Sequence, residues 1–501
     1  MCCTELDPGG AGISSNRPAR LRTDRLGSTK VPTSKGTTIS VSHWFDGFGQ
    51  THRFQLLSPT RVVYNSRYST DSLVAYVRRT GNIPNTFTFA QRRDPCQSLW
   101  RMFLTSFVPM TSELEGKVDG VNISVTVSRD VPGLPATAKD GKRSLYTGTD
   151  ASVLQGLDPD TLEPVGIASQ SSLHPELKGQ MSSAHAHVDP ETGDVFNYNL
   201  EISWAVTYRV FRTSRATGKT EILGTITDAP PAYIHSFFLT RNFVVLCVYS
   251  AHFGMGGIRI LYHRNMLDAL DDVSADRMAR WYVVDRRNGR GVVRKYTSDA
   301  FFAFHSANAW EEGGGIVAEV PAYENIDIIK KFYLHNLKGE TEEARKWATK
   351  GRSKFSRFWL PGVEGGAGGE GKAQLVWARE EDMSMELPKI NPQFSTRPTR
   401  CVTPFPHLLF ATDSLPKLHI RPNQPSQIDV AGCDNQARQF LGAARAVGRT
   451  RTHPRRSHLR PEPREHGGGR RSADQRRSER ENGVELPPRP RCQNADRSSA
   501  R

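Results

Sequence analysis

The sequence predicts an all-β fold, a large closed architecture of propeller or barrel type. Three observations predict it. Short alternating runs rich in β-branched and aromatic residues recur from about residue 38 to 420, turn signals separate them, and helical patterning is scarce. The clearest runs are 195–211, 237–250, 300–310 and 373–378. Asp158-Pro159-Asp160 and residues 189–194 read as hairpin connections, and Asn288-Gly289 as a type I′ turn. Residues 342–349 are the best helical segment. No repeat is visible at the period of about 40–50 residues common in propellers, so the pattern gives no blade count.

Composition divides the chain into three. Residues 1–37, rich in Gly, Ser, Thr, Pro and Arg, are expected to be poorly ordered, 38–420 to form the β domain, and 421–501 to be a disordered tail. The tail holds 18 Arg, no Lys and 9 acids, with Phe440 as its one Phe, Tyr or Trp. It supplies most of the net charge of +15 of the 501-residue chain, so the body is only mildly cationic. Its composition fits either a real extension or a shifted reading frame. Without interleaved aromatics, it supports only salt-sensitive, nonspecific contact with nucleic acid, and no specific nucleic-acid partner is expected. Seven Cys without a CxxC pair, and no apolar run after Met1, point to free thiols in a cytoplasmic setting. No apolar run reaches the roughly 18 residues of a membrane span.

Three of the fifteen His stand in unusual settings. His185 precedes a turn and a strand, His235 opens an apolar strand, and His305 lies inside an aromatic run. One such His is more often a satisfied core residue than a ligand. Three of them, 50 and 70 residues apart, exclude a finger-type site and fit ligands delivered by separate strands to one axis. Neutral imidazoles suit Fe, Zn, Cu or Ni, so the pattern alone does not fix the metal.

Five ordered motifs give a resemblance. They are His43-Trp44-Phe45-Asp46-Gly47, Ala184-His185-Ala186-His187, Ile234-His235-Ser236-Phe237, Phe304-His305-Ser306-Ala307-Asn308-Ala309-Trp310-Glu311-Glu312 and Glu386-Leu387-Pro388-Lys389-Ile390-Asn391-Pro392. Together they resemble the carotenoid cleavage oxygenases, with wording nearest to the fungal branch that acts on torulene. The resemblance implies a seven-bladed β-propeller with a loop and helical cap. It also implies Fe(2+) held on the axis by four His, with His185, His235 and His305 at three of the positions and His187 as the alternative to His185. Glu386 matches a carboxylate that orients a ligand imidazole. Asp150 stands where the family often has Glu, with a shorter arm. The Nδ1 proton given to such a carboxylate leaves Nε2 for the metal. Phe45, Asp46 and Gly47 read as packing and turn residues, and Phe302 and Trp310 as core.

The implied reaction is cleavage of a conjugated C=C bond of a carotenoid by O2, with peripheral membrane contact expected because carotenoids dissolve in lipid. The pattern departs from the family at the fourth His. His466-Gly467 has the dipeptide, but its Arg- and Gly-rich surroundings cannot form an apolar strand. The last blade is therefore expected to be missing or replaced, and the chain to be poorly active or inactive. The alternatives are cleavage of a stilbene-type aryl alkene and a β-propeller binding module without catalysis.

Overall fold

The computed structural model describes residues 29–58, 61–84, 88–91, 114, 116–263, 265–363, 369–380, 385–399 and 401–406, with the strand backbones 4–6, 11–14 and 418–419. Their regular structure is mostly strand, with few helices. Five sheets of four or five strands and a sixth of three follow one another along the chain, beside a two-stranded hairpin of Lys30–Pro32 and Thr38–Ser40. That hairpin, with Val31 buried, lies partly before residue 38.

The third to sixth sheets carry the argument. The third joins Met181–Ser182, His187–Val188, Val195–Ile202, Val206–Thr213 and Thr220–Ile226. The fourth joins Phe238–Leu239, Phe243–Val248, Ala279–Asp285, Val292–Ser298 and the parallel Glu370–Lys372. The fifth joins Asn308–Glu312, Gly315–Tyr323, Ser353–Leu360 and Gln374–Glu380. The sixth holds Met385–Lys389, Cys401–Pro406 and Leu418–His419.

The structure cuts the predicted runs more finely. Run 195–211 is a hairpin: Ile202 faces Val206, and Ser203, Trp204 and Ala205 make the loop with Trp204 fully exposed. Strand propensity is high on both sides, and only the pairing register exposes the turn. Run 237–250 is likewise two strands, and in run 300–310 only the last residues join a sheet. The stretch before them is buried yet irregular, its aromatic rings placed by packing: Phe301 stacks on Phe358 and Phe302 on Tyr233. Both hairpin connections at 158–160 and 189–194 are present. Asn288-Gly289 also lies in a hairpin, but Gly289 and Gly291 have positive φ and Asn288 does not, so the turn is not type I′. The predicted helix is a short Glu342–Lys346 capped by the Thr341 hydroxyl, whereas Asp71–Thr80 is twice its length.

The largest core cluster fills the third, fourth and fifth sheets, with Tyr198, Phe237, Trp281 and Phe302 fully buried in it. The sixth sheet packs on the fifth through Met385, Val402 and Phe355. Each of the third to sixth sheets begins near one predicted site residue, so that these residues come together where the first strands start.

Candidate metal centre

His185 lies between the two short first strands of the third sheet. His235 and His305 each lie three residues before a first strand, Phe238–Leu239 and Asn308–Glu312. Serine hydroxyls join these incoming segments. Ser183 Oγ donates to the His235 carbonyl at 2.7 Å and accepts from the His185 N–H at 3.0 Å. Ser236 Oγ donates to the Phe304 carbonyl at 2.8 Å and accepts from the Ser306 N–H at 2.6 Å. Three of these four bonds cross from one segment to the next, which fixes the histidines relative to one another.

The three imidazoles converge. Their ring centroids are 4.8, 4.8 and 4.9 Å apart, and one nitrogen from each lies within 4.8 Å of the others. His185 Nε2 and His235 Nε2 are 3.1 Å apart. His305 Nε2 is buried with no protein partner. An orphaned buried nitrogen costs desolvation unless something binds it.

Two carboxylates set two of the rings. His235 Nδ1 donates to Asp150 Oδ1 at 2.7 Å, and His305 Nδ1 donates to Glu386 Oε2 at 2.5 Å. The short arm of Asp150 therefore does reach, because its backbone is drawn in: the Asp150 carbonyl accepts from Ser182 N–H, and Ala151 pairs with Met181. Glu386 also accepts from its neighbour's N–H at Leu387, 2.7 Å away, where the backbone takes a positive φ of 49°. With Nδ1–H spent on the carboxylates, both rings present an Nε2 lone pair inward.

Burial disfavours the charged form of two of the rings. Burial, then the neighbouring His235 and His305, hold His185 well below the usual imidazole range. Burial lowers His305 too, against an opposing pull from Glu386. Burial pushes Glu386 upward, but His305, the Leu387 N–H and Tyr323 outweigh it and leave the carboxyl below its ordinary range. For His185, His305 and Glu386 these shifts favour neutral imidazole and ionised carboxylate, the donor state a divalent metal requires.

His187, the alternative at the first position, is used elsewhere: its Nε2 donates to the Phe237 carbonyl at 2.8 Å and its ring packs on Phe237. His466 lies outside the described residues, as does the 421–501 tail. Among the described residues, the set stops at three histidines. A cavity of 190 Å³ adjoins them, lined by His185, His305, Ser236, Ser306, Leu387 and Lys389 among others. Phe302 and Trp310 are core, as expected. Sequence reasoning missed Tyr233 and Tyr323, whose hydroxyls reach the two carboxylates, and the serines. The recurring His-Ser and Ser-x-His pairs are the signal that could have found the serines.

A family model for the retinal pigment epithelial membrane protein matches residues 26–404. A carotenoid dioxygenase of Neurospora crassa is 36% identical over 355 residues, 64% of this chain and 58% of that protein. A torulene dioxygenase of Gibberella fujikuroi is 36% identical over 406 residues, 75% of this chain and 70% of that protein. Among solved structures, a variant of the Synechocystis apocarotenoid oxygenase matches with a TM-score of 0.57 at 18% identity, covering 84% of this chain and 78% of that one. The Pseudomonas brassicacearum lignostilbene dioxygenase matches with a TM-score of 0.51 at 17% identity, covering 85% and 73%. These two show a shared fold. The family model covers most of the chain, the motifs stand in order and the histidines converge: the chain belongs to the retinal pigment epithelial membrane protein family of carotenoid oxygenases.

Proposed function

We propose that the chain holds ferrous iron through His185, His235 and His305 and cleaves a conjugated C=C bond of a carotenoid with O2. One oxygen atom goes to each carbon of the broken bond, giving two carbonyl products. The observation that carries the reading is the convergence of three imidazoles, one nitrogen of each within 4.8 Å of the others, with the His305 Nε2 buried and without a partner among the described residues. The donor chemistry fits: neutral nitrogen ligands suit Fe(II), and no thiolate is present among them.

Iron, when bound, would supply the activation of O2, which no side chain here can perform. The chain's own residues do the rest. Asp150 and Glu386 hold the Nδ1 protons, so the rings neither rotate nor switch tautomer. Phe304, whose ring lies 5.6 Å from that of His235, and buried Phe237 keep water from the inner side. The cavity beside His185 and His305 would fix one stretch of polyene, turning a bimolecular encounter into an oriented one. Relatives named for carotenoid and torulene cleavage, at 36% identity, support torulene, β-carotene or an apocarotenoid as substrate. Three imidazoles are expected to hold metal less tightly than four.

The successive sheets of three to five strands support blades of a seven-bladed propeller, with residues 38–420 as the domain. A surface for lipid is supported by Trp204, Met255 and Ile258, all exposed. Gly257 lies so close on Ile202 that a Cβ would stand 2.6 Å from its Cγ2, which brings the helical turn Met255–Gly257 and the start of helix Ile258–His263 beside the Trp204 hairpin.

The test is anaerobic reconstitution of the purified chain with Fe(II), followed by torulene, β-carotene and a stilbene under labelled O2. Bound iron and label in both aldehyde products are expected. A protein that takes up no iron and consumes no O2 is a binding module instead, and cleavage of the stilbene alone overturns the carotenoid assignment.

A further inference from the structure

Each carboxylate has a second oxygen, and in both cases a buried tyrosine takes it. Tyr233 OH donates to Asp150 Oδ2 at 3.0 Å, and Tyr323 OH donates to Glu386 Oε1 at 2.9 Å. Both tyrosines are fully enclosed, at 0% and 1% exposure. The two arrangements run in parallel: Tyr233–Asp150–His235 and Tyr323–Glu386–His305. They come from different elements, since Tyr233 is two residues from its own His and Tyr323 ends the long Gly315–Tyr323 strand of the fifth sheet.

We propose that Tyr233 and Tyr323 are positioning residues, each fixing the rotation of one carboxylate and through it the tautomer and direction of one imidazole. A carboxylate held by one bond can swing about its terminal torsion; one held at both oxygens cannot. Burial first, and then the adjoining carboxylate, push both phenols well above their ordinary range, so each stays a donor. Tyr233 also lies 3.2 Å from His235 Nδ1, close enough to swing into the place of a displaced Asp150. Among the described residues His185 has no such carboxylate, and its Nε2 faces that of His235 at 3.1 Å.

The proposal rests on the three imidazoles being ligands, but its main readout needs no metal. Nitrogen NMR of the full-length, metal-free protein with labelled histidine reports the tautomer of each ring. His235 and His305 are expected as pure Nδ1–H forms. Tyr233→Phe should give a mixed signal at His235 alone, and Tyr323→Phe at His305 alone. In parallel, titration with Co(II), read by its visible absorption, should show affinity falling about tenfold in each variant, the low end for loss of an outer hydrogen-bond partner. Unchanged tautomers in both variants overturn the proposal, whatever the metal does. Wild-type protein that binds no Co(II) overturns the ligand reading and leaves the tautomer result to decide this one. The two relays are separate, so if one variant fails to fold, the other carries the test.

Discussion

His43 and His305 are both buried histidines in aromatic surroundings, at 0% and 6% exposure, and they do opposite things. His43 meets Phe45, Phe89 and Tyr333 at ring distances of 5.1, 5.3 and 5.1 Å. Both its nitrogens serve the main chain: Nε2 donates to the Ile329 carbonyl at 2.9 Å, and Nδ1 accepts from the Phe45 N–H at 3.2 Å. Asp46, beside it, caps the Phe89 and Ala90 N–H groups at 2.7 and 2.8 Å. His305 gives Nδ1 to a side-chain carboxylate and leaves Nε2 to nothing. The two differ not in burial or aromatic company but in the destination of the second nitrogen.

The sharpest break of this comparison is His305→Ala. Iron affinity is expected to fall by more than the roughly 100-fold that loss of a ligand's hydrogen-bond partner brings. Metal analysis after desalting checks it, with urea unfolding of the metal-free form showing a far smaller change. Asp150→Asn and Glu386→Gln come next. Each should lower iron affinity about 10- to 100-fold by removing the acceptor that fixes the tautomer.

His43→Ala is the mirror experiment. It should cost about 2–4 kcal/mol of folding stability, from a lost buried hydrogen-bond pair and the space left behind. Iron bound per folded chain should stay unchanged. If iron is lost while stability holds, the distinction fails.

A smaller effect separates the two by acid. Burial pushes His43 down to about 4, partly opposed by its bond to Ile329. A chain unfolded at pH 5 protonates this ring and the folded one does not, so stability is present above pH 6.5 and lost as pH falls toward 4. The expected loss is about 3 kcal/mol. Asp46, pushed up to about 6 by burial, acts in the opposite sense, because the folded state takes up its proton first as pH falls from 6 to 4. Comparison of pH-dependent unfolding in wild type and His43→Gln isolates the histidine, and the variant should lose less stability on acidification. The smallest effect belongs to the surface: Trp204→Ser should weaken binding to neutral lipid vesicles several-fold in a sedimentation assay and leave iron content alone.

The three histidines and Glu386 were legible in the sequence because each sits in a short motif, and Asp150 only as a position where the resemblance puts Glu. Their partners were not. Asp150 meets His235 across 85 residues and Glu386 meets His305 across 81, separations that no local pattern encodes. Tyr323 reads as one more apolar strand residue until Glu386 is placed beside it. The strand content was legible from alternation, but its division at Trp204 was not, because the loop residues continue the apolar text. The helix Asp71–Thr80 hid for a related reason: its buried face is only Leu73 and Val77.

The spacing of the histidines has a thermodynamic consequence. His185 and His235 are 50 residues apart, so an unfolded chain offers the ion no preformed grip and must close long loops to make one. Binding then favours the folded chain by linkage, worth about 2.7 kcal/mol when the free ion stands at a hundred times its dissociation constant. The ion would act as a staple among the sheets as well as a reagent, and chelation should lower the melting temperature even where no substrate is present.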